Sequence, residues 1–489
     1  MKNTKLIQIC FLLASLLALP TSLFAQQAND VQLAQRLAGS ILVGGHSMQT
    51  LQSLTDTFGP RLTGSATYTG ATEWAAAQFR SYGIQNVRLE PFSMLNGWQR
   101  GPASARMVSP VAQDLHAASF GWFPPTPASG LRGEVVLVKD ITPEAITAQA
   151  SQLKGKIVLL DRASVYAERT YKNEALIEKS PERLKSAGAI AVLIGGALPN
   201  NVLSTGDPLW RGQIGPLPGG IVGREDAAGI QRWLEKGPVT LEINFQNQVS
   251  GPMQAKNVVA EIRGSEKPDE WVIVGAHLDS WDLATGAQDN GAGAAQVLEA
   301  ARAIAALGVP PKRSIRFALW GGEEEGLVGS LAYVQQHAGE LNRCVANLNT
   351  DNGAGHPEGW KTQGRKDLQT ALEPLGKSVL GSLGAGEISL DKVEFDTDHG
   401  SFLLQGVPAL NLKVEDSKYD EAHHKQADTL DKVDAHSLAD GAAVLAVTAL
   451  SLANADKPIG PRLDHAAVGE LLKKDSVDEY LKAQGLWPQ

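Results

Sequence analysis

Cysteine is nearly absent from this chain: 489 residues include two, Cys10 and Cys344. Cys10 falls in an N-terminal apolar stretch that reads as a removable leader, so the mature chain keeps Cys344 alone and can form no intrachain disulfide. Positive charge is not in excess either, and a net charge of -9 with both signs interspersed argues against a nucleic-acid-binding face. Aromatic residues make up 6% of the chain while glycine numbers 50, a balance that points to many tight strand-to-helix turns rather than disorder. Beyond the leader, no run reads as long and apolar enough to cross a bilayer.

The leader has a recognisable layout. Lys2 and Lys5 precede an uncharged run from Leu6 to Leu19, and Leu23-Phe24-Ala25 offers a small residue for cleavage before Gln26. The expectation is a signal peptide over 1–25 and an exported protein, periplasmic or secreted. Cys10 lies outside the lipid-attachment position, so no membrane anchor is expected. The remainder, roughly 460 residues, is too long for one hydrophobic core and predicts two or three domains.

Helices are expected over Val31–Leu42 and Thr69–Tyr82, with a rigid loop, Phe58-Gly-Pro-Arg-Leu-Thr-Gly-Ser65, between them and a strand over Val87–Phe92. A proline-rich boundary at Phe120 opens a block of short β-like segments at Gly133–Val138, Gly155–Leu160 and Ala189–Ile194. No metal-ligand spacing occurs between Leu131 and Ser250, so this block, placed at 126–250, reads as an inserted cover. It divides a main domain into 26–125 and 251–458. Within the second part, strands over Val258–Ile262, Trp271–Gly275, Ser314–Trp320, Cys344–Leu348 and Val407–Leu412 alternate with helices over Ala292–Leu307, Gly329–His337, Lys366–Leu375 and Leu438–Ala453. That rhythm predicts an α/β sheet with helices on both faces and function at the strand C-termini. Residues 459–489 read as a charged helical tail, either a solvated cap or a dimer contact.

Acidic and imidazole side chains cluster at those strand ends. His277 follows an apolar run and could be an ordinary core histidine, but Asp279, two residues on, would face the same way and could accept its ring proton. Asp289 could simply cap the helix that follows, yet its neighbouring glycines leave room for a metal, and a carboxylate can bridge two cations. Glu323 and Glu324 diverge from adjacent positions, so one can bind a metal while the other addresses water; Glu325 is expected to face solvent. Asp351 ends a further strand. His423 and His424 supply a second imidazole, with Asp428 or a backbone carbonyl available to orient it. Asp398-His399 is either a surface turn or a substrate contact, with a binding role for His399 preferred over a ligand role. Two imidazoles and three carboxylates without thiolate suit a pair of Zn²⁺ ions, with Mn²⁺ or Co²⁺ as alternatives.

The motifs Gly275-Ala-His-Leu-Asp-Ser-Trp-Asp282, Thr285-Gly-Ala-Gln-Asp-Asn-Gly291, Leu319-Trp-Gly-Gly-Glu-Glu324, Asp351-Asn-Gly353 and His423-His424 before Asp428-Thr429 together resemble the co-catalytic zinc exopeptidases, nearest their carboxypeptidase Q branch. The resemblance implies a mixed central sheet with an inserted, β-rich protease-associated domain. It also implies two zinc ions per chain. His277 would bind one and His424 the other, with Asp289 bridging, Glu324 and Asp351 completing the sets, and Glu323 as general base. Asp279 belongs to the catalytic group, Asp428 supports a ligand, and His423 with His399 are candidate substrate contacts. Short peptides are the implied substrates, and a homodimer is implied as well. Two departures stand out: Leu327-Val-Gly-Ser330 is closer to leucyl aminopeptidases of the same superfamily, and Lys425 replaces a small hydroxyl residue. Carboxypeptidase and aminopeptidase action both remain open from the sequence.

Overall fold

In the computed structural model, residues 31–168, 170–206, 209–415 and 418–487 are described; the expected leader at 1–25 lies outside them. The apolar run Trp271–His277 forms the inner half of strand Lys267–His277, flanked by the parallel strands Arg313–Trp320 and Cys344–Asn349. Both flanking strands are buried along their whole length, as befits strands covered on two faces. Ala409–Val414 adds a further parallel strand beyond Cys344–Asn349. Antiparallel Met253–Ile262 and Asn86–Met94 extend the sheet on one side, and Pro357–Lys361 with Glu387–Ser389 complete eight strands on the other. The sheet is therefore mixed.

Side-chain alternation assigns each strand residue to one of two cores. Val272, Val274 and Ala276 point into a layer with helices Ala292–Ala306, Ala435–Asn454 and Ala66–Ser81. Trp271 and Ile273 point the other way, toward Leu331 of helix Val328–Gln336, Phe402 of His399–Leu404, and the C-terminal helices His465–Lys474 and Asp478–Ala483. Cutting Ile273 back to alanine between two such layers would cost on the order of 2–5 kcal/mol.

Three expectations change here. Helix Ala435–Asn454 is, by length and composition, apolar enough to cross a membrane, contrary to the reading that nothing beyond the leader was; it is a core helix, with Ala442 to Val447 fully buried. The C-terminal tail is not merely solvated, because Val468, Leu472, Val477 and Leu481 are fully buried against the main sheet. Finally, the second sheet starts before the proline-rich boundary at Phe120. Its order is Gln113–Leu115, Ala103–Ser109, Thr240–Phe245, Leu131–Val138, Ile157–Leu160, Ala191–Gly195, Gly219–Val222, Ala117–Ser119. Ala103–Ser109 belongs to it through antiparallel pairing with Thr240–Phe245. The four strands from Leu131 to Val222 are parallel, and helices Tyr171–Ser186 and Arg224–Leu234 accompany them, so this unit carries helices as well as strands.

Candidate dimetal centre

The C-terminal ends of the three central parallel strands deliver His277, the Glu323-Glu324 turn and Asp351 to one edge of the main sheet, where the loops after parallel strands leave a crevice. His277 is fully buried. Its Nδ1–H donates to the Asp279 main-chain carbonyl at 3.0 Å, which fixes Nε2 as the free donor atom facing the site. The expected partner was the Asp279 carboxylate; its Oδ1 stands farther off at 3.4 Å, because the chain turns after His277 and offers its carbonyl first. Asp279 Oδ2 instead accepts from Thr63 Oγ1 at 2.9 Å, and Thr63 Oγ1 accepts from Gly322 N–H at 2.8 Å.

Asp289 occupies the middle. Its Oδ1 is 3.2 Å from His277 Nε2 and its Oδ2 is 3.5 Å from His424 Nε2. Asp351 Oδ1 approaches His277 Nε2 to 3.1 Å, and Glu324 Oε2 approaches His424 Nε2 to 2.9 Å. Asp289 thus faces both imidazoles, and the donor atoms fall into three overlapping groups, each within 4.8 Å: Asp289, His423 and His424; His277, Glu323 and Asp351; and His277, Asp289 and Glu324. Asp289 is free to serve both because the helix cap is made by its neighbour. Asn290 Oδ1 accepts from Gly293 N–H at 2.9 Å, while Asn290 Nδ2 donates to Asp351 Oδ1 at 2.8 Å.

Supporting residues differ in part from expectation. Asp428 does not reach His424; it accepts the N–H groups of Gln288 at 2.6 Å and Asp289 at 3.1 Å and so holds the Asp289 loop. Arg61, in the loop read only as rigid, is fully buried and donates to the carbonyls of Leu278, Thr285 and Gly286 at 2.7–2.8 Å, tying the His277 loop to the Asp289 loop. An arginine and a threonine inside a segment bounded by Gly59, Pro60 and Gly64 were the signal that these side chains are held inward. Glu325, expected in solvent, is 1% exposed, since the turn that separates Glu323 from Glu324 folds it back under the sheet edge. His399 is fully buried with both nitrogens engaged, by Thr397 Oγ1 at 2.6 Å and the Glu394 carbonyl at 3.0 Å, and it does not line the cavity; it holds a loop rather than facing a substrate. His423 does line the cavity, with its ring 4.0 Å from that of His424.

The donor set fits two divalent cations. Burial lifts the carboxyls of Glu323 and Glu324 well above their ordinary range and that of Asp351 to about 6. Burial opposes ionisation of Asp289 too, but the hydrogen bond to His277 outweighs it and holds that carboxyl below its usual range. His423 and His424 keep 45% and 33% of their side chains exposed, and their partial withdrawal from water lowers the pKa of both imidazoles. Glu324 Oε2 has no hydrogen-bond partner although His424 Nε2 is 2.9 Å away, the arrangement of two donor atoms that face a common ion. Asp289, Glu323, Glu324 and Asp351 crowd together with 10% or less of each side chain exposed and call for positive charge; although burial opposes it, their proximity raises the His277 imidazole well above its ordinary value, and Arg61 already gives its N–H groups to carbonyls.

In front of these residues lies a cavity of about 830 Å³. The main sheet forms its floor, the second-sheet unit contributes Tyr171 and Trp210 to its wall, and the tail contributes Asp475 and Tyr480.

A model of peptidase family M28 matches residues 257–449. Carboxypeptidase Q of Mus musculus is 30% identical over 445 residues, covering 88% of this chain and 91% of its own length. The crystal structure of a peptidase M28 precursor from Shewanella amazonensis is similar with a TM-score of 0.79 at 30% identity, covering 89% of this chain and 99% of that one. A zinc aminopeptidase from Bacillus subtilis shares the fold, with a TM-score of 0.64 at 23% identity over 82% of this chain and 93% of that one.

Proposed function

The chain belongs to peptidase family M28, and from that membership we propose a carboxypeptidase Q-like, zinc-dependent exopeptidase that hydrolyses a terminal peptide bond of dipeptides or short peptides. The observation that carries this reading is Asp289, whose two oxygens face His277 and His424 while Glu323 stands beside them in the same cavity.

Two zinc ions, one held by His277, Asp289 and Asp351 and the other by Asp289, Glu324 and His424, would polarise the scissile carbonyl and lower the pKa of the attacking water. Glu323 accepts the proton of that water and returns it to the leaving amine. Its burial raises the carboxyl well above the ordinary range, which increases its affinity for the proton it takes from water. Asp279 and Thr63 hold the His277 loop against the Glu323 turn, so base and ligand keep their spacing. The walls supplied by the second sheet and the tail limit the cavity to short substrates.

The second-sheet unit is read as the protease-associated-like insertion of this family. Export to the periplasm or medium rests on the leader at 1–25, and a homodimer rests on resemblance to the carboxypeptidase Q group. An aminopeptidase of the same superfamily is the second reading, favoured by the turn Gly326-Leu-Val-Gly-Ser330. Zinc-loaded protein offered dipeptides with free, acetylated or amidated ends separates the two. A requirement for a free carboxylate supports the carboxypeptidase, and a requirement for a free amine supports the aminopeptidase. No cleavage at full zinc occupancy would leave a metal-stabilised peptide-binding protein instead.

A further inference from the structure

Trp210 is not on the main sheet, yet it packs directly against the turn that carries Glu323. Gly326 N–H donates to the Glu323 carbonyl at 2.8 Å, closing that turn, and Gly326 adopts φ +100°. A β-carbon at Gly326 would fall 2.2 Å from Trp210 Cε3, so the glycine lets the indole seat on the turn. The Arg211 N–H donates to the Glu325 carbonyl at 2.6 Å and pins the segment there. Two further rings extend the wall. Tyr480, from the tail, meets Trp210 edge-on at 5.6 Å, and Tyr171 lies 5.2 Å from Tyr480. Tyr171 is itself held, since its hydroxyl accepts the Phe395 N–H at 3.0 Å, and Gln484 of the tail hydrogen-bonds Glu178 on the Tyr171 helix.

We propose that Trp210, Tyr480 and Tyr171 form a preformed side-chain subsite that selects short peptides carrying an aromatic residue next to the scissile bond. The inference rests on the exopeptidase reading and adds its substrate class. All three rings line the cavity that contains Glu323, Asp289 and Asp351. An incoming ring gains offset or edge-on contact with rings already fixed in place, so little ordering opposes it. The subsite needs both the second-sheet unit, which supplies Trp210 and Tyr171, and the tail, which supplies Tyr480. That requirement explains why a charged C-terminal segment buries Tyr480 beside the cavity.

The test uses the zinc-loaded full chain and four dipeptides: Ala-Ala, Ala-Phe, Phe-Ala and Ala-Lys. Native protein is expected to favour one of the phenylalanine peptides over Ala-Ala by about tenfold to a hundredfold in kcat/KM. Trp210→Ala should collapse that ratio, Trp210→Phe should retain most of it, and Tyr171→Ala should reduce it independently. Cleavage with no aromatic preference, or a ratio that Trp210→Ala leaves intact, would overturn the subsite while leaving the exopeptidase standing. Failure to cleave any of the four would overturn both.

Discussion

The main-chain N–H of Thr205 donates to the carbonyl of His424 at 2.8 Å, and Gln426 N–H donates to the Leu203 carbonyl at 3.0 Å, so a loop of the second-sheet unit is zipped onto the loop that presents a metal ligand. Arg100 reinforces the same contact. Its guanidinium donates to Thr205 Oγ1 at 2.8 Å and forms a two-point pair with the Asp282 carboxylate, the shortest distance 2.7 Å. Asp282 adjoins Trp281, whose N–H donates to Glu324 Oε1 at 3.2 Å. One side chain therefore supports both His424 and Glu324. Arg100→Gln is expected to weaken the ion held by Asp289, Glu324 and His424 by about 10–100-fold, the usual effect of losing an outer hydrogen-bond partner. The ion held by His277 and Asp351 should be retained. Zinc content followed against a graded chelator would show one ion leaving early; simultaneous loss of both would contradict the assignment.

Glu323→Gln keeps the size of the side chain and removes its ability to take a proton. Glu323 lies within 4.8 Å of the donor atoms of His277 and Asp351, but as the proposed base it holds neither ion, so metal content should stay at two ions per chain while turnover falls by roughly 10²–10⁴. Full activity in this variant would show that another group acts as base.

Much of this arrangement was legible in the chain because it is local. Apolar runs became strands whose C-terminal ends, His277, Trp320 and Asn349, lie within two residues of where periodicity placed them, although the first begins four residues earlier, at Lys267; the acidic residues that follow fell at strand ends. What sequence could not supply was long-range pairing. Ala103–Ser109 joins the second sheet only through Thr240–Phe245, more than a hundred residues later, so the boundary was drawn too late. The Thr205–His424 contact is of the same kind. Polar side chains were misjudged for a different reason: Glu325 and His399 are buried by the folding of tight loops, and neither charge nor period reports how a loop closes.

Removal of metal should destabilise the fold as well as stop catalysis. Glu323, Glu324 and Asp351 are buried together, and without cations their ionisation is opposed by burial and by one another. A ligand bound only by the folded chain adds about 2.7 kcal/mol of stability at a free concentration one hundred times its dissociation constant. Two tight sites should add at least that much. Thermal unfolding in chelator should therefore give a lower Tm than in micromolar zinc, and restoring zinc should recover both Tm and activity. An unchanged Tm would mean that the ions contribute nothing to the folded state.

His399 makes the stability acid-sensitive. Its Nε2–H donates to the Glu394 carbonyl at 3.0 Å, so its Nδ1 is unprotonated and accepts from Thr397 Oγ1 at 2.6 Å, while Thr397 Oγ1 accepts from Asn349 Nδ2 at 3.0 Å. A proton on Nδ1 would meet a hydroxyl already aimed at it, in a site closed to water. Burial, the main cause, pushes the imidazole from its ordinary 6.5 down to about 4. The folded chain thus binds fewer protons than the unfolded chain between those values, and stability is full above pH 6.5 and lost as pH falls toward 4. The loss at pH 4.5 is about 2.5 kcal/mol for this group. His399→Gln cannot take up the proton, so its urea unfolding free energy should fall less between pH 7 and pH 4.5 than that of the native chain, by about that amount. Both proteins are compared in the same chelator, so that ion release contributes to neither. Parallel pH curves for the two would show that His399 titrates alike in the folded and unfolded chain.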